Sequence, residues 1–345
     1  IADRYRVLGG VGRGVFSTVL KCIDTRGAAI GGGSGVEVAL KFIRNNDLMR
    51  KNAQKEVAIL QDLRHHDPHN RKHCVRLLDT FEHRGHTVMV FEALQMNLRE
   101  TLRKFGNKVG INAAAVRTYA KQLFSALRHL EARRVVHADI KLDNIVVSEG
   151  FGVCKLCDFG SAFREASCRL KLKGPDGTPT PYLVSRWYRA PEIILGLDCD
   201  RALDTWSVAT TLFELFVGKP MLPGKSNNEM LKLMMGYKGA FPKAMLRQHV
   251  RAYAKINAAP HFDDAKSFAF VQHELDPISK HPTMRHVVIT APTRNVRSEL
   301  LSGKGGEDER DTVIALADLL ERCLALDPRR RPTIAEAFDL PFLRR

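Results

Sequence analysis

His137-Ala138-Asp139-Ile140-Lys141-Leu142-Asp143-Asn144, followed by Asp158-Phe159-Gly160, is the stretch from which the rest of this chain is read. It sets a carboxylate, an ammonium and a carboxamide within six positions (Asp139, Lys141, Asn144), with a second carboxylate, Asp158, one short strand further on. Upstream, Val38-Ala39-Leu40-Lys41 puts a lysine on a strand. Such a lysine usually snorkels to water, but it holds phosphate oxygens when a carboxylate orients it, and Glu56 is the candidate. Further upstream, Gly12-Arg13-Gly14-Val15-Phe16-Ser17-Thr18-Val19 lies between two strands. A dinucleotide fingerprint needs a helix after its glycines. Between strands, bare backbone can instead fold over phosphates. Taken alone, this run reads equally well as an ordinary hairpin turn. Downstream comes Ala190-Pro191-Glu192.

Organisation follows from periodicity. Tyr5–Leu8, Ser17–Ile23, Val38–Ile43 and Thr87–Glu92 read as strands, so residues 1–90 are β-rich, with Gly27–Gly35 a flexible connection. Ala53, Val57 and Leu60 recur at helical spacing and predict a helix over 51–63. From about residue 97 the pattern is helical. Val116, Ala120, Leu123, Leu127 and Leu130 form an apolar stripe that Asn112 can cap, and 204–217 is apolar nearly all round, as a buried central helix is. Val313, Leu316, Leu320 and Leu324 mark a late helix. The expectation is an α+β chain of two lobes.

Composition narrows the class. The 345 residues carry 54 Lys+Arg against 38 Asp+Glu, a formal charge of +16, and 44% hydrophobic content, which disfavours disorder. That excess suits a nucleic-acid binder, an anionic-membrane binder, or an enzyme with acidic or phosphorylated ligands. The basic residues are dispersed and no aromatic-and-basic RNA signature appears. No run approaches the roughly 20 apolar residues of a membrane span. The first residue is Ile1, so the stretch reads as an excised domain whose flanks could hold address signals. Seven scattered cysteines point to reduced thiols and an intracellular setting. Cys154 and Cys157 form one C-x-x-C, without the second that a zinc site needs, and read as structural. In His65–His73 Pro68 interrupts helical pairing, so an exposed loop is expected there and not a metal site.

The five runs, in this order, resemble the signature of eukaryotic protein kinases, from about residue 5 to residue 343. The resemblance implies the bilobal kinase fold: a β-rich N-lobe with one helix over about 1–92, a hinge at 93–96, and a larger helical C-lobe over 97–345 with an activation segment at 158–192. It implies ATP and Mg²⁺ as cofactors. Asp139 is then the carboxylate that accepts the substrate hydroxyl's proton, and Lys141 steadies the γ-phosphate, a serine/threonine-kinase feature. Asn144 and Asp158 supply hard oxygens for Mg²⁺. Lys41 grips phosphates while paired with Glu56, under a loop of Val11, Gly12 and Gly14. Phe91 is the gatekeeper, Glu92-Ala93-Leu94 meets adenine, and Val19, Ala39 and Val146 sandwich the purine. Glu192 pairs with Arg331, and Asp204 and Trp206 begin the central helix; these are scaffold roles.

Thr180-Pro181-Tyr182-Leu183-Val184-Ser185-Arg186-Trp187-Tyr188-Arg189-Ala190 narrows the resemblance to the CMGC group, and within it to the DYRK-like, splicing-associated pre-mRNA-processing factor four kinases. Gly14–Ser17, Met96–Glu100 and Pro223–Leu233 carry the same likeness. It implies spliceosomal or SR-type protein substrates, a nuclear location and a monomeric kinase domain with no membrane attachment. Two departures stand out: Ser17 replaces a glycine, and Ala138 replaces the arginine that normally clamps a phosphorylated activation loop. Six basic residues against two acids in 161–189 suggest that Thr180 and Tyr182 are regulatory, with phospho-Tyr182 docking on Arg186 or Arg189. Three alternatives stay open: Tyr182 as an unmodified packing residue, a pseudokinase scaffold, and direct RNA binding by the basic surface.

Overall fold

The computed structural model describes residues 1–14, 17–26, 35–106, 108–167, 184–276, 279–303 and 307–344. It is α+β, with a five-stranded antiparallel sheet and one long helix first in the chain and a mainly helical region after them. The sheet comprises β1 (Tyr5–Arg13), β2 (Ser17–Asp24), β3 (Val36–Ile43), β4 (Leu77–His83) and β5 (His86–Glu92), in the order β1-β2-β3-β5-β4. The period of two sorts their side chains. Val38 and Leu40 are buried with Tyr5, Cys22, Val88 and Val90 in a small core on one face. Ala39 and Lys41 therefore point to the other face, beside Val19 on β2 and Phe91 on β5.

Helix α1 (Asp47–His65) begins four residues before the predicted span, because the Asn46 side chain accepts from the Met49 N–H at 2.8 Å and caps it there. Its inward face is Ala53, Glu56, Ile59, Leu60 and Leu63, so an acid lies on an otherwise apolar stripe. After β5 come β6 (Met96–Asn97) and the short α2 (Leu98–Thr101), then α3 (Ala113–Ala132), capped by Asn112 as expected. Strands β7 (Val135–Val136), β8 (Ile145–Val147), β9 (Cys154–Leu156) and β10 (Phe163–Arg164) are short; β6, β8 and β9 form one small sheet, and β7 and β10 pair. They sit on α3 and bracket the loops carrying Asp139 and Asp158.

Helix α4 (Ala202–Val217) is buried from Leu203 to Phe216 and forms the axis of the second region. Arg331 grips Glu192 with two parallel bonds of 2.7 Å, both side chains fully buried, and joins the turn Pro191–Ile194 to the late chain. Five cysteines, including Cys154 and Cys157, are free thiols, as composition predicted. Cys199 departs from that expectation: it is disulfide-bonded. Cysteine spacing does not say which Cα atoms approach to bridging distance, so a single pairing is invisible in sequence. Among the described residues no group of three or more His, Cys, Asp or Glu side chains is placed to hold a metal ion. Nor is any described helix long and apolar enough to cross a membrane.

Candidate active site

Lys41 reaches the α1 acid. Its Nζ lies 2.7 Å from Glu56 Oε1 and 2.9 Å from Asp158 Oδ1, so one ammonium ties β3, α1 and the Asp158 loop together. Burial works to lower the lysine's pKa, but the two carboxylates overcome it and hold the ammonium charged, above its ordinary value. Burial pushes Glu56 up against Lys41's opposing pull. Asp158 also feels burial, yet Lys41 brings it to a net value below the ordinary carboxylate range. Asp158 has left-handed backbone (φ 59°), which turns its side chain toward Lys41, while Phe159 is buried with its ring edge on His137, 4.8 Å between centroids.

The Asp139 loop is fixed from behind. Buried Asp204, in the first turn of α4, accepts from the His137 N–H at 2.7 Å and the Ala138 N–H at 3.0 Å. This holds Ala138 at φ 64°, a strained value for a residue with a Cβ. Asp139 is then a hub. Lys141 Nζ donates to Oδ2 at 2.8 Å and Asn144 Nδ2 to the same oxygen at 3.0 Å. The Ser185 hydroxyl donates to Oδ1 at 2.7 Å, and Lys141 also reaches that hydroxyl, at 2.8 Å.

The Lys41 cluster borders a cavity of about 330 Å³ under the sheet, and the Asp139 cluster reaches it through Asn144, while Lys141 and Ser185 line the open groove alongside. Val11, Gly12, Val19 and Ala39 form its roof, Phe91, Glu92 and Leu94 its back, and Val146, Asn144 and Asp158 its floor, with Lys41 and Glu56 at the inner end. Of the residues expected around ATP, Gly14 and Lys141 lie outside this cavity; both line the open groove beside it. The Glu92 carboxylate is engaged by Lys155 Nζ at 2.7 and 2.6 Å and by the Arg76 N–H, so its part in the cavity wall does not leave that carboxylate free for a ligand. Arg186 is exposed; Arg189 is buried, donating twice to the Val184 carbonyl and once to Asn227. Thr180 and Tyr182 lie outside the described residues. Sequence reading missed Ser185, Val75 and Cys157 at the site; Ser185 had no marker beyond its place before Arg186.

Comparison with known proteins agrees with this geometry. The protein kinase domain family matches residues 5–343. The chain belongs to the protein kinase family. It is 41% identical over 341 residues to the serine/threonine-protein kinase prp4 of Schizosaccharomyces pombe, covering 99% of this chain and 66% of that protein. It is 39% identical over 350 residues to the serine/threonine-protein kinase prpf4B of Dictyostelium discoideum, covering all of this chain and 40% of that protein. The dual specificity tyrosine-phosphorylation-regulated kinase mbk-2 of Caenorhabditis elegans is 33% identical over 350 residues, with all of this chain and 39% of that protein covered. The chain thus spans between two-fifths and two-thirds of these relatives. Within the family it is a kinase domain of the serine/threonine type, most like the prp4 kinases among these three, and kinase membership implies ATP.

Proposed function

We propose that this chain transfers the γ-phosphate of ATP to serine and threonine hydroxyls of proteins. One observation carries the reading: the Lys41–Glu56–Asp158 ion pairs line the cavity, and Asn144, which donates to Asp139, joins that cavity to the groove lined by Lys141. Phosphoryl transfer asks a protein mainly for positioning and charge neutralisation. Lys41, kept charged by its two carboxylates, orients phosphate oxygens. Asp139 Oδ1 already accepts a hydroxyl proton donor at 2.7 Å, within general-base reach of a substrate hydroxyl placed likewise. Lys141, bridging Asp139 and Ser185, neutralises charge between acceptor and donor.

The residues fit Mg²⁺. Asn144 spends its Nδ2 on Asp139, leaving Oδ1 as its ligand atom, and Asp158 is half exposed toward the cavity. Two protein oxygens suit an ion that keeps several waters and takes phosphate oxygens for the rest. Mg²⁺·ATP, when bound, brings the phosphoryl group and further charge neutralisation.

By the sequence resemblance and the likeness to the prp4 kinases we assign the substrates to spliceosomal proteins, the location to the nucleus, and regulation to Tyr182. The test is transfer of labelled phosphate to protein substrate by wild type and Asp139→Asn. The variant should lose about 10²- to 10⁴-fold in rate. Equal incorporation would remove Asp139 from the chemistry. Intact mass and peptide mapping of the same wild-type sample should find phosphate at Tyr182; full activity without it would end the regulatory assignment.

A further inference from the structure

Beside the catalytic cluster runs an open groove of about 1090 Å³, where a protein segment must lie to bring its hydroxyl to Asp139. Its walls contain two acids, Asp143 and Glu214, and both are taken by one residue of the chain. Arg99, on α2, donates to buried Glu214 through Nη1, and through Nη2 to Asp143 at 3.3 Å and to the Tyr188 hydroxyl at 2.5 Å. Tyr188 closes the set by donating to Glu214 at 2.5 Å. The niche that could have received a basic substrate side chain therefore holds an internal guanidinium.

The exposed charges lining the groove are the cations Arg103, Lys108 and Arg186 against one acid, Asp143, which Arg99 engages. Arg103 lies four residues after Arg99 and so projects along the same wall, and Lys108 follows on the next turn. Both are exposed, and neither is paired with a carboxylate among the described residues. The Lys108 turn is held rigidly. A Cβ on Gly110 (φ 86°) would lie 1.8 Å from the Phe216 carbonyl oxygen, and one on Gly218 (φ 82°) 2.5 Å from the Gly110 nitrogen and the Lys108 carbonyl carbon. The Ile111 N–H donates to the Leu215 carbonyl at 3.0 Å, completing the clasp to the end of α4. Lys108 is thus presented from a fixed backbone, which lowers the ordering cost of binding.

Resting on the kinase reading above, we propose that this groove selects protein segments bearing carboxylate or phosphate side chains beside the acceptor hydroxyl, with Arg103 and Lys108 as specificity-determining cations and Arg99 as the group that excludes basic side chains. An arginine-rich segment is then a poor substrate until it carries phosphate. Like-charge juxtaposition disfavours it, whereas opposite charge speeds encounter. The groove's exposed ring system, Trp187, has its indole N–H engaged by the Gly224 carbonyl at 3.2 Å. A single-stranded RNA site stacks successive bases on several aromatic faces, which favours a protein ligand here.

The experiment compares four peptides sharing one acceptor serine, flanked by glutamate, phosphoserine, alanine or arginine, with the wild-type chain. The glutamate and phosphoserine peptides should exceed the arginine peptide in kcat/KM by about tenfold or more, chiefly through KM, and added salt should compress the difference. The double variant Arg103→Glu/Lys108→Glu should reverse the order, and Arg103→Lys/Lys108→Arg should keep it. Equal values across the flanks, or preference for arginine, overturns the inference. Failure to phosphorylate any peptide counts against the kinase reading instead. In that event anisotropy of the labelled peptides on the wild-type chain decides the inference: tighter binding of the acidic peptides supports it, and equal or reversed binding overturns it. A single-stranded RNA oligonucleotide that displaces the labelled acidic peptide at lower concentration than the unlabelled peptide does would also overturn it, assigning the groove to nucleic acid.

Discussion

Asp158 is where burial and charge compete at a single carboxyl. Burial pushes its pKa up, and Lys41 at 2.9 Å pulls it down further than burial raises it. A carboxyl whose folded pKa lies below its unfolded value, about 3.9, contributes stability that is in place above that value and is lost as pH falls through the lowered one. The melting-temperature gap between wild type and Asp158→Asn should therefore be constant from neutral pH to about pH 5 and close below about pH 4. A gap unchanged in stronger acid would mean that the Lys41 ion pair is not its source. Neither Lys41 nor Glu56 is distinctive in sequence; each alone reads as a solvated surface charge. Glu56 becomes informative only on noticing that it falls on the apolar stripe of Ala53, Ile59, Leu60 and Leu63.

At the scale of elements, local signals marked starts and stops well. Asn112 caps α3 as its position before the Val116–Leu130 stripe suggests, while α1 begins earlier than its apolar residues do because the capping atom belongs to Asn46. The end of α4 depends on Gly218, at φ 82° with backbone packed against its Cα. Gly218→Ala should cost at least about 1–3 kcal/mol from the left-handed backbone alone, measured by urea unfolding, since the new Cβ would also meet the Gly110 nitrogen. Loss of under about 0.5 kcal/mol would mean that the clasp around Gly110 yields easily. That clasp was not legible beforehand: a glycine after a helix announces a cap, but not the second backbone that packs on it.

Across the whole molecule, the fully buried Glu192–Arg331 pair joins segments 139 residues apart in sequence. Removing one partner leaves an uncompensated charge, so Glu192→Ala should destabilise by about 3–5 kcal/mol in urea titration, and Glu192→Ala/Arg331→Met by clearly less. Equal loss in the two variants would show that packing around Arg331, which also lies 5.1 Å over the Trp206 ring, matters more than the charge pair.

The order of the motifs, the alternation on β3 and the helical stripes are properties of neighbouring residues, and through them the amino-acid sequence determined the α+β architecture, the family and the identity of the residues around the cleft. Which cation meets which carboxylate is decided by side chains that the chain brings together from far apart. Lys41 on Asp158, Ser185 on Asp139, Arg99 filling the niche of Glu214 and the disulfide at Cys199 all belong to that second class. Electrostatic interaction depends on distance and burial, and neither is fixed until the helical region has folded around α4 and set the sheet above it.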